Sequence, residues 1–191
     1  MIAAGCFNHM TNTTEPQEQL RATFEQLVAA MTEHPQDVNV RLMPSHRKPI
    51  LVLTCHRSDY GAVLGKKATM LCALKALAAE AGKRHGIELD ILLDEAGCTG
   101  ERKPRVRMDV NPEWDSAPFE KLASLFCNDA IGPCQIALEP VAAGVSKLTV
   151  TVTGDWTPTE DDASTFEEAL TVVVNCIGAR QGHRIVVEVV E

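Results

Sequence analysis

Asp59-Tyr60-Gly61-Ala62-Val63-Leu64-Gly65-Lys66-Lys67-Ala68-Thr69 joins two helical stretches across a bend that holds one glycine and two lysines. Ahead of the bend a short helical turn runs from Ser58 or Asp59 to Leu64; beyond it a longer helix runs from 69 to about 81, where Gly82 suits a C-terminal cap. Gly65 lets the chain turn sharply and lets another backbone come close. The free N–H groups at the start of the second helix point outward, and Lys66 and Lys67 add two positive charges, so the bend suits a backbone phosphate. The same residues also make a plain helix-to-helix turn with solvated lysines, and the bend alone does not choose between the two.

Upstream, Thr14-Glu15-Pro16-Gln17 reads as a capping box with proline in the first turn. Leu20, Phe24, Leu27, Val28 and Met31 then recur on one helical face until Pro35 ends it. Val38, Val40 and Leu42 alternate as a half-buried strand, and after a polar, basic turn at 45–49 the run Ile50-Leu51-Val52-Leu53-Thr54 makes a second. Ile87, Leu89, Ile91 and Leu93 alternate as a third. The order is helix, strand, strand, helix, helix, strand.

These landmarks return at an offset of 96 residues: Pro44 falls on Pro140, Asp59 on Asp155, Ala73-Leu74 on Ala169-Leu170, Gly82 on Gly178, Arg84 on Arg180, Gly86 on Gly182 and Glu95 on Glu191. One residue of slippage pairs Phe24-Glu25-Gln26-Leu27 with Phe119-Glu120-Lys121-Leu122. The second copy predicts a helix over 116 to about 129, strands near 135–139 and 147–153, a helix over 157–176 and a strand over 184–190. The expected fold class is therefore α/β (α+β), with two tandem domains, each a three-stranded sheet carrying helices on one face. Residues 1–15 read as a short soluble tail, 16–95 as the first domain, 96–115 as a linker rich in glycine and proline, and 116–191 as the second domain.

Composition narrows the function. Apolar residues at 45% and charged residues at 23% exclude wholesale disorder, and no apolar stretch approaches the roughly 18 residues that span a bilayer. Seven cysteines without a Cys-x-x-Cys pair favour a reducing, cytoplasmic setting, and neither they nor the six histidines offer zinc-ligand spacing, so no metal site or cofactor is expected. The net charge of −8 is uneven: residues 1–95 carry −1 and residues 113–191 carry −9. A polyanion would meet the first half.

Glu33-His34-Pro35 before Val38-Asn39-Val40, the bend from Asp59 to Ala68, Ala73-Leu74-Lys75-Ala76-Leu77 and Gly82-Lys83-Arg84 together resemble the small bacterial KH-domain RNA-binding proteins of the KhpA type. The resemblance covers about residues 20–95. It implies a KH type II order, single-stranded RNA as partner, and a Gly-x-x-Gly loop falling on Gly65, Lys66, Lys67 and Ala68. It also implies an apolar groove lined by Val63, Leu64, Met70, Ala73 and the strand 50–54. The RNA-contacting set is then Gly61, Gly65, Lys66, Lys67, Ala68, Thr69 and Lys75, with His56 and Arg57 beside the loop. Two positions depart from the family pattern: the second loop glycine is Ala68, and the basic residue after it is Thr69. Proteins of this type pair with a second KH protein, so a fused copy can take the partner's place, as a monomer or homodimer.

In the second copy the loop positions become Asp161, Asp162, Ala163 and Ser164, carboxylates where lysines would sit, after a capping box at Thr157-Pro158-Thr159-Glu160. That copy reads as degenerate and unable to hold RNA by its loop. Cys55-His56 is no nucleophile and base, because strand neighbours point to opposite faces. His56 and Arg57 also read as a polar strand end, Lys83-Arg84-His85 as a complement to a helix dipole, and Trp114 and Trp156 as packing anchors. No catalytic motif is present and no enzyme is expected. The competing function is a protein-interaction module in which both copies have lost nucleic-acid binding.

Overall fold

Alternating and helical periodicities mature into two sheets, each with its own layer of helices. The computed structural model describes residues 14–44, 48–101 and 114–190. The tail with Cys6, most of the basic turn, linker residues 102–113, Glu191 and the Thr14 side chain of the expected capping box lie outside it.

In the first copy, α1 (Thr14–Met31) leads through a 3-10 turn at Pro35–Asp37 into β1 (Asn39–Met43) and β2 (Ile50–Thr54), followed by α2 (Tyr60–Leu64), α3 (Thr69–Arg84) and β3 (Asp90–Leu93). β2 is central, antiparallel to β1 and parallel to β3. Leu51 and Leu53 turn under the helices with Leu20, Phe24, Leu27 and Leu74, all buried. Met43 and Leu92, on the other face, stay exposed.

The second copy repeats the sheet: α4 (Ala117–Ala130), β4 (Cys134–Ala142), β5 (Val145–Val152), α5 (Glu160–Arg180) and β6 (Arg184–Val190), with β5 antiparallel to β4 and parallel to β6. It has no counterpart of α2, so the first copy's helix-strand-strand-helix-helix-strand order does not return in full, in keeping with the single helix read over 157–176. Without a glycine bend the chain enters a single long helix, capped by the Thr159 hydroxyl accepting from the Asp162 N–H at 3.2 Å. The cap is thus two residues later than the predicted Thr157.

Two matched glycine pairs prove to have distinct jobs. α3 runs through Gly82 instead of stopping there, and the glycine serves a close approach: an added Cβ would lie only 2.3 Å from the Ile87 carbonyl oxygen. Gly178 meets the His183 carbonyl in the same way, at 2.9 Å. The turns that end the helices fall at Gly86 and Gly182, with φ of 65° and 73°. Ile87 and Leu89, expected in the third strand, instead double back on the helix end, where Ile87 donates to the Gly82 carbonyl at 2.8 Å. Residues 96–101, expected in the linker, stay on the first sheet: Arg57 donates to the Thr99 carbonyl at 2.7 Å, and Cys98 is buried.

The helical layers of the two copies face each other, α3 against α5 and α1 against α4. Phe24 meets Phe126 edge to face at 5.8 Å. Buried Asp129 of α4 accepts from Thr23 and Gln19 of α1. Repeat-matched arginines cross the seam in both directions. Arg180 donates to the Ala30 and Thr32 carbonyls at the end of α1, and Arg84 lies against Gly132 just past the end of α4, where an added Cβ would sit 2.3 Å from its guanidinium. Each cation sits at the negative end of the other copy's first helix.

Candidate nucleic-acid interface

The bend is held from behind by Asp59, which is 1% exposed. Its carboxylate accepts the Glu33 and His34 N–H groups at 3.0 Å each and bonds His34 Nδ1 at 3.0 Å, while its carbonyl accepts from Ala62 and Val63 to start α2. The His34 ring stacks on His56 at 3.9 Å. His56 Nδ1 accepts from the Ser58 N–H at 3.3 Å and bonds the Ser58 hydroxyl at 2.7 Å, and its Nε2 abuts Gly100. The sequence offered no ligand spacing, yet His34, His56 and Asp59 come within metal-ligating distance of one another. The Asp59 oxygens, His34 Nδ1 and His56 Nδ1 are each already engaged in a hydrogen bond. The cluster is a brace that seats α2.

From that seat α2 ends at Gly65, whose N–H donates to the Gly61 carbonyl at 3.1 Å. Gly65 turns at φ 74° and ψ 169°, and an added Cβ would lie 2.6 Å from the Met70 nitrogen, so only glycine fits. Lys67 and Ala68 both follow in the left-handed region, at φ 55° and 62°. Ala68 N–H donates to the Gly65 carbonyl at 3.3 Å, and the Thr69 hydroxyl donates to the Lys66 carbonyl at 2.7 Å. Left-handed turns of this kind gather backbone N–H groups into anion-accepting concavities. Lys66, Lys67 and Thr69 are exposed with the second copy in place, and Gly61 opens onto free space.

The other expected contact residues are placed differently. Lys75 lies six residues beyond Thr69, about 9 Å along the helix axis. It pairs with Asp90 on β3 at 3.3 Å, as Lys48 does at 3.2 Å. Burial works to raise the Asp90 carboxyl, but the Ile91 N–H and the two lysines outweigh it and hold the group below its ordinary value. Arg57 is exposed, whereas the His56 ring is taken into the stack. Of the expected groove, Val63, Met70, Ala73 and residues 51–54 are buried, leaving Ile50 and Leu64 half-buried, Leu64 beside Gly61.

In the second copy, Asp161 is exposed and Asp162 reaches Lys83 of α3 at 2.8 Å. Lys83 also pairs with Glu80 at 3.1 Å, and Glu80 accepts from the Trp156 indole at 3.0 Å. The bond from Asp162, then that from Glu80, raises Lys83; the bond from Lys83, then that from Thr159, lowers Asp162. Lys83 and Arg84 thus face the other copy. The sequence marked Arg84 by its repeat partner Arg180, but not the contact each makes.

Residues 21–92, which hold the Asp59 brace, the bend and α3, match the family model described as "KhpA/KhpB, KH domain". The proteins named "RNA-binding protein KhpA" of Mycobacterium tuberculosis and Mycobacterium bovis are 35% identical to this chain over 68 residues, 36% of this chain and 84% of theirs. With most of such a relative's length matched and the bend inside the match, the chain belongs to the KhpA/KhpB family of KH-domain proteins.

Proposed function

We propose that this chain binds single-stranded RNA through the bend from Gly65 to Thr69, and that its second half is a degenerate KH-like copy acting as a built-in partner. The observation that carries the reading is the bend itself: two exposed lysines and a left-handed backbone, lying outside the seam that buries the helices. The parallel pairing of β2 with β3, after an opening helix and two strands, supports a type II KH order. The reciprocal contacts of Arg84 and Arg180 support a pseudo-two-fold arrangement within one chain. The phosphate backbone lies along Lys66, Lys67 and the N–H groups of the bend, and Gly61 and Leu64 offer the nearest surface for bases.

Fluorescence anisotropy of labelled single-stranded RNA, titrated at several salt concentrations, tests this. Affinity falls as salt rises, and Lys66→Glu with Lys67→Glu abolishes binding, reducing any residual salt slope by about 1.4 from two lost phosphate contacts. Asp161→Asn leaves binding unchanged. No binding by the natural chain at low salt would instead favour a protein-interaction module that has lost RNA in both copies, a reading that the alanine at position 68 favours.

A further inference from the structure

The residues that match the family model stop at position 92, yet the chain stays on the first copy through Glu101. Asp94 N–H donates to the Leu53 carbonyl at 2.9 Å, and Cys98 is buried with its thiol on the Asp94 carbonyl at 3.4 Å. Thr99 then lies beside the strand end that precedes the bend. Its N–H donates to the Cys55 carbonyl at 3.2 Å, and its carbonyl accepts from the Arg57 N–H at 2.7 Å. The Ser58 hydroxyl also reaches the Glu101 carbonyl, at 3.4 Å. Between Thr99 and Glu101, Gly100 turns at φ 70°, so close to the His56 ring that an added Cβ would sit 1.8 Å from Nε2.

That ring is held on its other sides as well: it stacks on His34 at 3.9 Å, and its Nδ1 bonds the Ser58 N–H and hydroxyl. His34 is in turn fixed to buried Asp59, whose carbonyl accepts the N–H groups that start α2. Contact therefore runs unbroken from Gly100 through two stacked rings to the helix that ends in the bend. Resting on the reading of that bend as the RNA site, we propose that residues 98–101 are a clamp that positions it. Gly100 is the positioning residue, and it acts through His56 without touching RNA.

A bend already ordered before RNA arrives loses less conformational freedom on binding. Once the clamp is loosened, only molecules with a formed bend bind, and the apparent affinity falls by that fraction. The phosphate contacts keep their number, so the salt dependence stays as it was, whereas loss of a contacting lysine lowers it. Two glycines allow the clamp to be separated from plain backbone strain. Gly144, in the β4–β5 turn, has the same φ of 70°, but an added Cβ there meets the Gly182 carbonyl oxygen at an ordinary 3.5 Å. Alanine at either position meets the same left-handed backbone, and only alanine at 100 meets the His56 ring.

The test compares Gly100→Ala and Gly144→Ala in the full chain, well below each variant's melting midpoint. Gly100→Ala should bind labelled single-stranded RNA at least about threefold more weakly than the natural chain, as when two thirds of the molecules lose the formed bend, with the salt slope unchanged. Gly144→Ala should bind like the natural chain. In a His56→Ala background the added methyl meets no ring, so Gly100→Ala should cost no further affinity. Hydrogen exchange read by mass spectrometry needs no RNA: the amides of Ala62, Val63, Gly65 and Ala68, all bonded inside the bend, should exchange faster in Gly100→Ala and not in Gly144→Ala. Should Gly100→Ala not fold, Ser58→Ala, which removes the hydroxyl shared by His56 and Glu101, replaces it in both measurements. Unchanged affinity and exchange in Gly100→Ala, or an equal loss with and without the His56 ring, would overturn the proposal. Absence of RNA binding by the natural chain would overturn the function proposed above but not the clamp, which the exchange rates then decide.

Discussion

At the scale of single residues, the bend is governed by backbone handedness. Ala68 occupies a left-handed conformation that costs an L-residue about 1–2 kcal/mol and that glycine adopts freely. Glycine gives back about 0.5–1 kcal/mol of chain entropy, so Ala68→Gly should stabilise the chain by about 0.5–1 kcal/mol and raise its thermal midpoint. A lower midpoint would show that position 68 does not turn this way. Under the proposed function the same change, by removing a methyl from the loop, also tightens RNA. Gly65→Ala acts in the opposite direction: it meets the Met70 backbone and a positive φ together, and should cost at least about 2 kcal/mol in urea unfolding. The family motif was legible at this scale, since Gly65, Lys66 and Lys67 stand together in the chain. The left-handed geometry of Lys67 was not, because nothing in the identity of a lysine specifies φ above zero.

At the scale of elements, helix ends and sheet edges decide most outcomes. Arg180 crosses from α5 to the last carbonyls of α1, and Arg180→Ala should destabilise the chain by about 1.5–3 kcal/mol, the range for charge-assisted bonds whose loss leaves partners unpaired. An equally stable Arg180→Ala variant in urea melts would remove that contact from the account. On the first sheet, Asp90 is bound by Lys48 and Lys75 and is held below its ordinary value. A carboxyl depressed by folding contributes stability that is present above its unfolded value and lost as pH falls through the folded one. The stability gap between the natural chain and Asp90→Asn should therefore be full above about pH 5 and close progressively in acid. A gap that widened as pH fell would reverse the sign assigned here. Helix and strand positions were largely legible from period and turn residues, and the second copy's single long helix, read over 157–176, falls at Glu160–Arg180. With Asp161 where the first copy has Gly65, nothing broke the helix, and Thr159 took the cap.

At the scale of the whole molecule, each sheet turns its apolar face to its own helices, the two helical layers pack on each other, and buried residues of both copies form one continuous core. Trp114 and Trp156, both in the second half, should report the same urea transition as far-UV circular dichroism, which sees both halves. Two separated transitions would mean that the copies fold apart. Phe126 is 1% exposed and packs edge to face on Phe24, so Phe126→Ala should cost about 3–5 kcal/mol and weaken the coupling between the halves.

Periodicity, turn residues and the 96-residue echo determined by themselves that this chain makes a three-stranded sheet twice and a cationic bend once, because those features depend on neighbours close along the chain. Only the tertiary structure decided what the echoes do. Arg180 meets Thr32 across 148 residues, Thr23 meets Asp129 across 106, and Lys83 is drawn to a carboxylate 79 residues away. Contacts so distant leave no mark on local pattern. They exist because each copy leaves one face of its helices unburied, and the other copy is tethered close enough to cover it.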